Sequence, residues 1–205
     1  MRQLVLDISP LPRATLDNFV PGENVELLAR LRQLVAGTLE EPVLYLWGGA
    51  GSGRSHLLSA VALASPGTRI ADDVQGLDDA GQVALFNAIN DVRESGGHVL
   101  AAGDAPPAQL ALRADLRSRL AWGLVYQVKP PGDDGRADFL RTEAARRGLR
   151  LQDEAIDFLL RRARRDLRSL SALVDDIDRL SLERQRPVTL ALLRDALQPP
   201  TPGPG

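Results

Sequence analysis

The chain has 205 residues, a formal net charge of −2 and ordinary apolar and charged fractions, enough for one sizeable core or a larger domain with a small satellite. The near-neutral charge argues against a broad, non-specific grip on nucleic acid. The absence of cysteine removes disulfides, thiolate nucleophiles and Cys-ligated zinc, and His56 and His98 are too few for a histidine-based metal centre. No run of about 18 apolar residues is present to cross a bilayer. The opening Met1-Arg2-Gln3-Leu4-Val5-Leu6-Asp7 meets an acid and then a proline too early for a secretory signal, so a cytoplasmic protein is expected.

Residues 1–21 are short, partly apolar and punctuated by proline, and read as an extended arm. Over 23–36, Val25, Leu27, Leu28, Leu31, Leu34 and Val35 recur at helical spacing. The run Val43-Leu44-Tyr45-Leu46-Trp47 is continuously apolar, as a buried parallel strand is. A glycine-rich turn follows, opening a helix over 53–64 that Ser65-Pro66-Gly67 ends. The pattern then predicts a weak strand over 68–72, an amphipathic helix over 77–93, a strand over 98–102, a helix over 112–120 and a strand over 124–128. Strands alternating with helices predict an α/β domain, a parallel sheet covered by helices on both faces. After Pro130-Pro131-Gly132 only helical spacing remains, over 136–147, 153–164, 167–184 and 190–197. A boundary is therefore expected near 129–132, with a small all-helical domain after it and a disordered tail over 199–205.

Gly48-Gly49-Ala50-Gly51-Ser52-Gly53-Arg54-Ser55 matches the phosphate-binding pattern G-x-x-x-x-G-K-[ST] everywhere except Arg54, which replaces lysine. Glycines let successive backbone N–H groups turn inward, and the following helix N-terminus adds partial positive charge, so phosphate is held without side-chain bulk. Ser55 is placed to coordinate Mg2+. A glycine-rich strand–helix turn without a ligand is the bland alternative, but a strand before and a helix after is the context the pattern requires. A hydrolase elbow is excluded, because Ala50 and Arg54 flank Ser52 where glycines are needed. A guanidinium is wider than an ammonium and forks its donors, so Arg54 suits a diphosphate better than a γ-phosphate. Almost all of the basic residues are arginine, with Lys129 the single lysine, and a GC-rich genome is the plainest account of that bias. Asp72-Asp73 closes the weak strand, where the first carboxylate would hold Mg2+ and the second would orient water. From spacing alone, a helix N-cap explains the pair equally well.

Together these segments resemble the DnaA-related branch of the AAA+ family. Asn18-Phe19-Val20-Pro21-Gly22-Glu23-Asn24 is similar to its opening motif, which packs on adenine, and Asp72-Asp73-Val74-Gln75 to its Walker B. Ala102-Gly103-Asp104-Ala105-Pro106-Pro107 resembles sensor 1. Arg117-Ser118-Arg119-Leu120-Ala121-Trp122-Gly123 resembles the arginine-finger motif, and Asp166-Leu167-Arg168-Ser169-Leu170 sensor 2. The resemblance implies domains over 1–21 (arm), 22–130 (AAA+ α/β), 131–198 (helical lid) and 199–205 (tail). It implies ADP or ATP, with Mg2+, held by Phe19, Val20, Gly48, Gly51, Gly53, Arg54, Ser55, His56, Asp104 and Arg168. Ser55 and Asp72 would serve the metal, Asp73 hydrolysis, and Arg119 a neighbour's nucleotide in trans. For Arg119 alone, an exposed helix arginine paired with a carboxylate is the commoner fate.

No segment after about 197 corresponds to the DNA-binding domain of DnaA, and Gln3-Leu4-Val5-Leu6-Asp7-Ile8 resembles the clamp-docking peptide of the Hda-type branch. Leu4, Leu6 and Ile8 would fill an apolar pocket and Gln3 would anchor by hydrogen bonds, although the same alternation fits an edge strand. This implies a negative regulator of replication initiation that binds the DNA-loaded DNA polymerase III sliding clamp and stimulates hydrolysis of DnaA-bound ATP. It would be no efficient ATPase itself, would touch DNA only indirectly or weakly, and is compatible with a homodimer. The alternatives are a helicase-loader-type ATPase and a nucleotide-stabilised clamp adaptor. Arg161, Arg162, Arg164 and Arg165 read as a solvated helix face. Sixteen residues separate Ser55 from Asp72, too few for the family's additional strand and helix. A four-stranded core in family order 5-1-4-3 is therefore expected, with the second strand missing from the edge.

Overall fold

Side chains alternating along the strands build a sheet with two buried faces. In the computed structural model, which describes residues 13–185 and 188–197, β1 (Val43–Trp47) is flanked in parallel by β3 (Val99–Gly103) and β4 (Leu124–Gln127), and β2 (Arg69–Ala71) closes the edge beside β3. The order β2-β3-β1-β4 is that of the expected core without its second strand. Leu44, Leu46, Leu100 and Ala102 face one way, onto Leu27, Leu28, Leu31 and Leu34 of α1 (Val25–Val35) and Leu57, Leu58 and Val61 of α2 (Arg54–Ala64). Val43, Tyr45, Val99 and Ala101 face the other way, onto Leu85, Ile89 and Val92 of α3 (Asp79–Ser95) and Leu116 and Leu120 of α4 (Ala114–Trp122). The period of two in the strands thus meets the 3.6-residue period of the helices on both faces.

Local chemistry moves several element ends from where hydrophobic spacing sets them. The strand expected over 68–72 stops at Ala71, and the chain passes through Asp73 at φ +48 into a short 3-10 turn, Val74–Gly76. The next helix begins at Asp79 rather than 77, because the Asp78 carboxylate caps it by accepting the Gly81 N–H at 2.8 Å. The helix expected over 112–120 runs instead from Ala114 to Trp122, while Leu110 and Leu112 enter the core from the preceding loop. Gly123 then lies so close to the Val43 carbonyl that no side chain fits, which turns the chain directly into β4 at the N-terminal end of β1.

Beyond β4 the chain forms a helical bundle of α5 (Asp133–Arg146), α6 (Asp153–Arg162), α7 (Leu167–Arg184) and α8 (Leu190–Ala196). Leu140, Ile156, Leu159, Leu170, Val174, Ile177 and Leu193 make its own core. One acid is buried there: the Glu143 carboxylate accepts from Arg146, Arg147 and Ser171, and Arg147 reaches on to Asp175, so the charge is neutralised where water is scarce. Among the described residues no helix is long and apolar enough to cross a membrane.

Candidate functional site

The glycine-rich turn leaves the C-terminal end of β1 and enters α2 through Gly53, whose φ of +101 suits glycine above other residues. Three of its glycines have surroundings that a side chain would invade. A Cβ on Gly48 would come within 2.6 Å of the Val128 carbonyl oxygen, one on Gly51 within 3.0 Å of the Asp166 Cβ, and one on Gly53 within 2.6 Å of the Phe19 ring. The turn is thus the meeting point of the arm, the sheet and the lid. Two buried polar atoms here, Ser52 Oγ and Arg54 Nη1, have no hydrogen-bond partner. Unpaired buried donors are costly, and an anion among them would satisfy them. The residues present therefore fit a nucleotide polyphosphate.

Phe19 is buried, its ring 5.8 Å from that of His56, and the His56 Nε2 lies 3.0 Å from the Thr15 carbonyl oxygen. His56 thus ties the arm to α2, and Val20 lies beside Gly135 at the start of the lid. Ser55 is exposed at the first turn of α2, and Asp72 and Asp104 are exposed at the ends of their strands. Asp72 accepts the N–H of Asp73, and the 3-10 turn after Asp73 has no side-chain cap, so the rival assignment of the pair as a helix cap does not hold; Asp78 has that role. Arg168 is exposed in the first turn of α7, beside Asp166, whose carboxylate accepts the Ser169 N–H at 2.8 Å. That hydrogen bond holds the Asp166 carboxyl below its ordinary range. Gln3, Leu4, Leu6 and Ile8 lie outside the described residues, as does the tail over 199–205.

A chain of contacts joins these pieces. The Arg54 side chain, only 12 % exposed, brings Nη2 to 3.9 Å from the Asp73 carboxylate. Gln75 donates to that carboxylate at 3.1 Å and accepts the Asp104 N–H at 3.2 Å. The buried Tyr45 hydroxyl donates to the Ala105 carbonyl at 2.8 Å and fixes the same turn from below. Gln75, the last residue of the Walker B-like segment, thus links Asp73 to the turn at Asp104, and Tyr45 supports that turn from outside the recognised motifs. Asp166 comes to the turn only through folding, whereas Ser52 lies within the glycine-rich segment itself and its burial is what makes it a site group. A groove of about 600 Å³ lies elsewhere, between Leu16, Val35 and Leu63, and is not the anion site.

Arg119 is remote from this cluster. It lies on α4, on the sheet face opposite α2, and its helix ends at Gly123 against Val43, at the opposite edge of the sheet from the P-loop. In place of a carboxylate its guanidinium has two rings, Trp122 at 4.1 Å and Phe86 at 5.5 Å, and its buried Nη1 has no hydrogen-bond partner.

The family described as "Hda, lid domain" matches residues 133–197. An uncharacterised protein of Haemophilus influenzae is 32 % identical over 228 aligned positions, covering 96 % of this chain and 98 % of its own. The fold is similar to domain III of DnaA from Thermotoga maritima, with a TM-score of 0.75 and 24 % identity, covering 93 % of this chain and all of that domain. It is also similar to DnaA from Aquifex aeolicus with AMPPCP bound, with a TM-score of 0.70 and 21 % identity over 85 % of this chain and 69 % of that one. The chain belongs to the DnaA-related AAA+ family. It is an Hda-like member, with a four-stranded AAA+ core and a helical lid of Hda type.

Burial pushes the Tyr45 phenol well above its ordinary value of 10, with the nearby Asp104 charge adding to the shift. Burial also raises Tyr126, the only other tyrosine, as does its hydrogen bond to Glu26. A phenol raised on folding contributes stability that is complete below pH 10 and lost as pH climbs through the folded value. Denaturant midpoints measured from pH 8 upward should therefore hold to about pH 10 and then decline, with tyrosinate absorbance appearing only on unfolding. Full tyrosinate formation just above pH 10 in the folded protein would contradict this environment.

Proposed function

We propose that the chain binds ADP, or ATP, with Mg2+ at the P-loop, docks on the DNA-loaded sliding clamp through Gln3, Leu4, Leu6 and Ile8, and presents Arg119 to ATP held by DnaA. The outcome is hydrolysis of the DnaA-bound ATP and restraint of replication initiation. The carrying observation is the placement of Arg119: it lies across the sheet from its own P-loop and has no carboxylate partner among the described residues, which supports a role toward a neighbour's nucleotide rather than its own.

In this scheme the backbone amides of 48–54 donate to phosphate, and Ser55 with Asp72 holds the metal. Phe19, Val20 and His56 flank the base, while Arg168 approaches from the lid and Asp104 from the end of β3. A bound nucleotide supplies the negative charge that draws P-loop and lid together. Arg119 meets the charge that develops on the neighbour's phosphoryl group, a contact stronger in the transition state than before it.

The chain's own hydrolysis should be slow. Asp73, the residue that would orient water, already receives the Gln75 amide and faces the Arg54 guanidinium, which draws its negative charge away from the attacking position. Arg54→Lys would exchange the fork for a compact charge and is expected to raise ATP turnover by the isolated chain about tenfold, or about 1.4 kcal/mol. Equal steady-state rates for the two proteins would remove this role for Arg54.

Arg119→Ala should leave ADP and clamp binding unchanged while reducing stimulation of DnaA-bound ATP hydrolysis by roughly 10³-fold. The check is release of phosphate from ATP-loaded DnaA in the presence of clamp-loaded DNA. Stimulation that survives the substitution would refute the trans-acting arginine.

A further inference from the structure

Trp122 is a large apolar side chain placed where the fold does not need one. It ends α4, is 63 % exposed and contributes little to the core beneath it. Its ring instead gathers cations. The Arg119 guanidinium stands 4.1 Å from its centroid and that of Arg93, from the last turn of α3, stands 5.0 Å away. Phe86, also on α3, receives Arg119 at 5.5 Å. Together these contacts restrict a side chain that would otherwise sample many rotamers.

Two guanidiniums sharing one ring repel each other. Among the described residues neither forms an ion pair, although the chain is rich in carboxylates and most of its other arginines find one. The Arg119 Nη1 is buried with no acceptor. An assembly that concentrates positive charge, keeps it free of internal anions and rests it on an exposed indole is built for an anion brought by another molecule.

We propose that Trp122 is the positioning residue for Arg119, and that Arg93 is a second cation on the same face, so that the partner's nucleotide phosphates meet a preformed pair of guanidiniums. This rests on the proposal that Arg119 acts in trans, and deepens it. The indole holds the guanidinium plane before the partner arrives. Arg93, favoured at the C-terminal end of α3 by the helix dipole, adds positive charge without entering the reaction.

The test uses the full chain with ATP-loaded DnaA and clamp-loaded DNA. Trp122→Ala should lower maximal stimulation roughly 10- to 100-fold, with the DnaA concentration for half-maximal effect and the thermal midpoint unchanged. Trp122→Phe should restore most of the loss, and Arg93→Ala should lower the maximum by up to about tenfold. Trp47 and Trp122 are the only tryptophans, so in a Trp47→Phe background the emission of Trp122 should shift on mixing with ATP-loaded DnaA, and Arg119→Ala should alter that emission before any partner is added. Full stimulation by Trp122→Ala alongside its loss in Arg119→Ala would overturn the positioning role and leave the arginine finger standing. Full stimulation by Arg119→Ala would bring down the finger itself. A raised half-maximal concentration with an unchanged maximum would make Trp122 a docking contact and likewise overturn its positioning role.

Discussion

The close approach of backbone at the P-loop is the constraint on which the rest of the molecule depends. Where Gly48, Gly51 and Gly53 stand, a single Cβ would strike the end of β4, the cap of the lid helix α7 or the Phe19 ring. Three segments distant in sequence therefore converge on one turn whose amides are free of side-chain bulk. Two of the polar groups buried there, Ser52 Oγ and Arg54 Nη1, have no partner within the protein. Buried donors in want of an acceptor represent stability that a ligand can recover, so the proposed nucleotide is best understood as a structural member that ties the lid to the core as well as a cargo.

The sheet divides the chemistry in two. α2 and the phosphate cradle occupy one face and the C-terminal edge, while α4 carries Arg119 on the other face near the opposite edge. A binding site and a trans-acting charge can then be present in one chain without acting on each other. On the cradle side, a line of contacts runs from Arg54 to Asp73, on through Gln75 to the Asp104 backbone N–H, and engages the Asp73 carboxylate that a self-sufficient ATPase would keep available. On the α4 side Arg119, with Arg93 beside it, forms no ion pair among the described residues. That asymmetry favours a protein that holds its own nucleotide and acts on another's.

Much of this organisation was legible in the sequence. The alternation of Leu44 and Leu46 against Val43 and Tyr45, the glycine spacing after Trp47 and the short interval between Ser55 and Asp72 foretold the β2-β3-β1-β4 sheet. Other features were hidden because they depend on what folding brings together. Asp78 rather than Asp73 caps α3, a choice made by the backbone turn through φ +48 that spacing cannot reveal. The i,i+3 spacing of Arg119 and Trp122 can be read off one helix, but Arg93 and Phe86 join them only through the packing of α3 on α4. Asp166 is recognisable as a helix cap, yet its place against Gly51 follows from how the lid meets the P-loop.

Calorimetric titration of the purified, folded chain with ADP and with ATP, each with Mg2+, probes the shared foundation most directly. The account predicts saturable heat at one site, lost when Gly53 is replaced by valine in protein that still unfolds cooperatively. No heat with either nucleotide, from material whose folding is verified in the same sample, would contradict it.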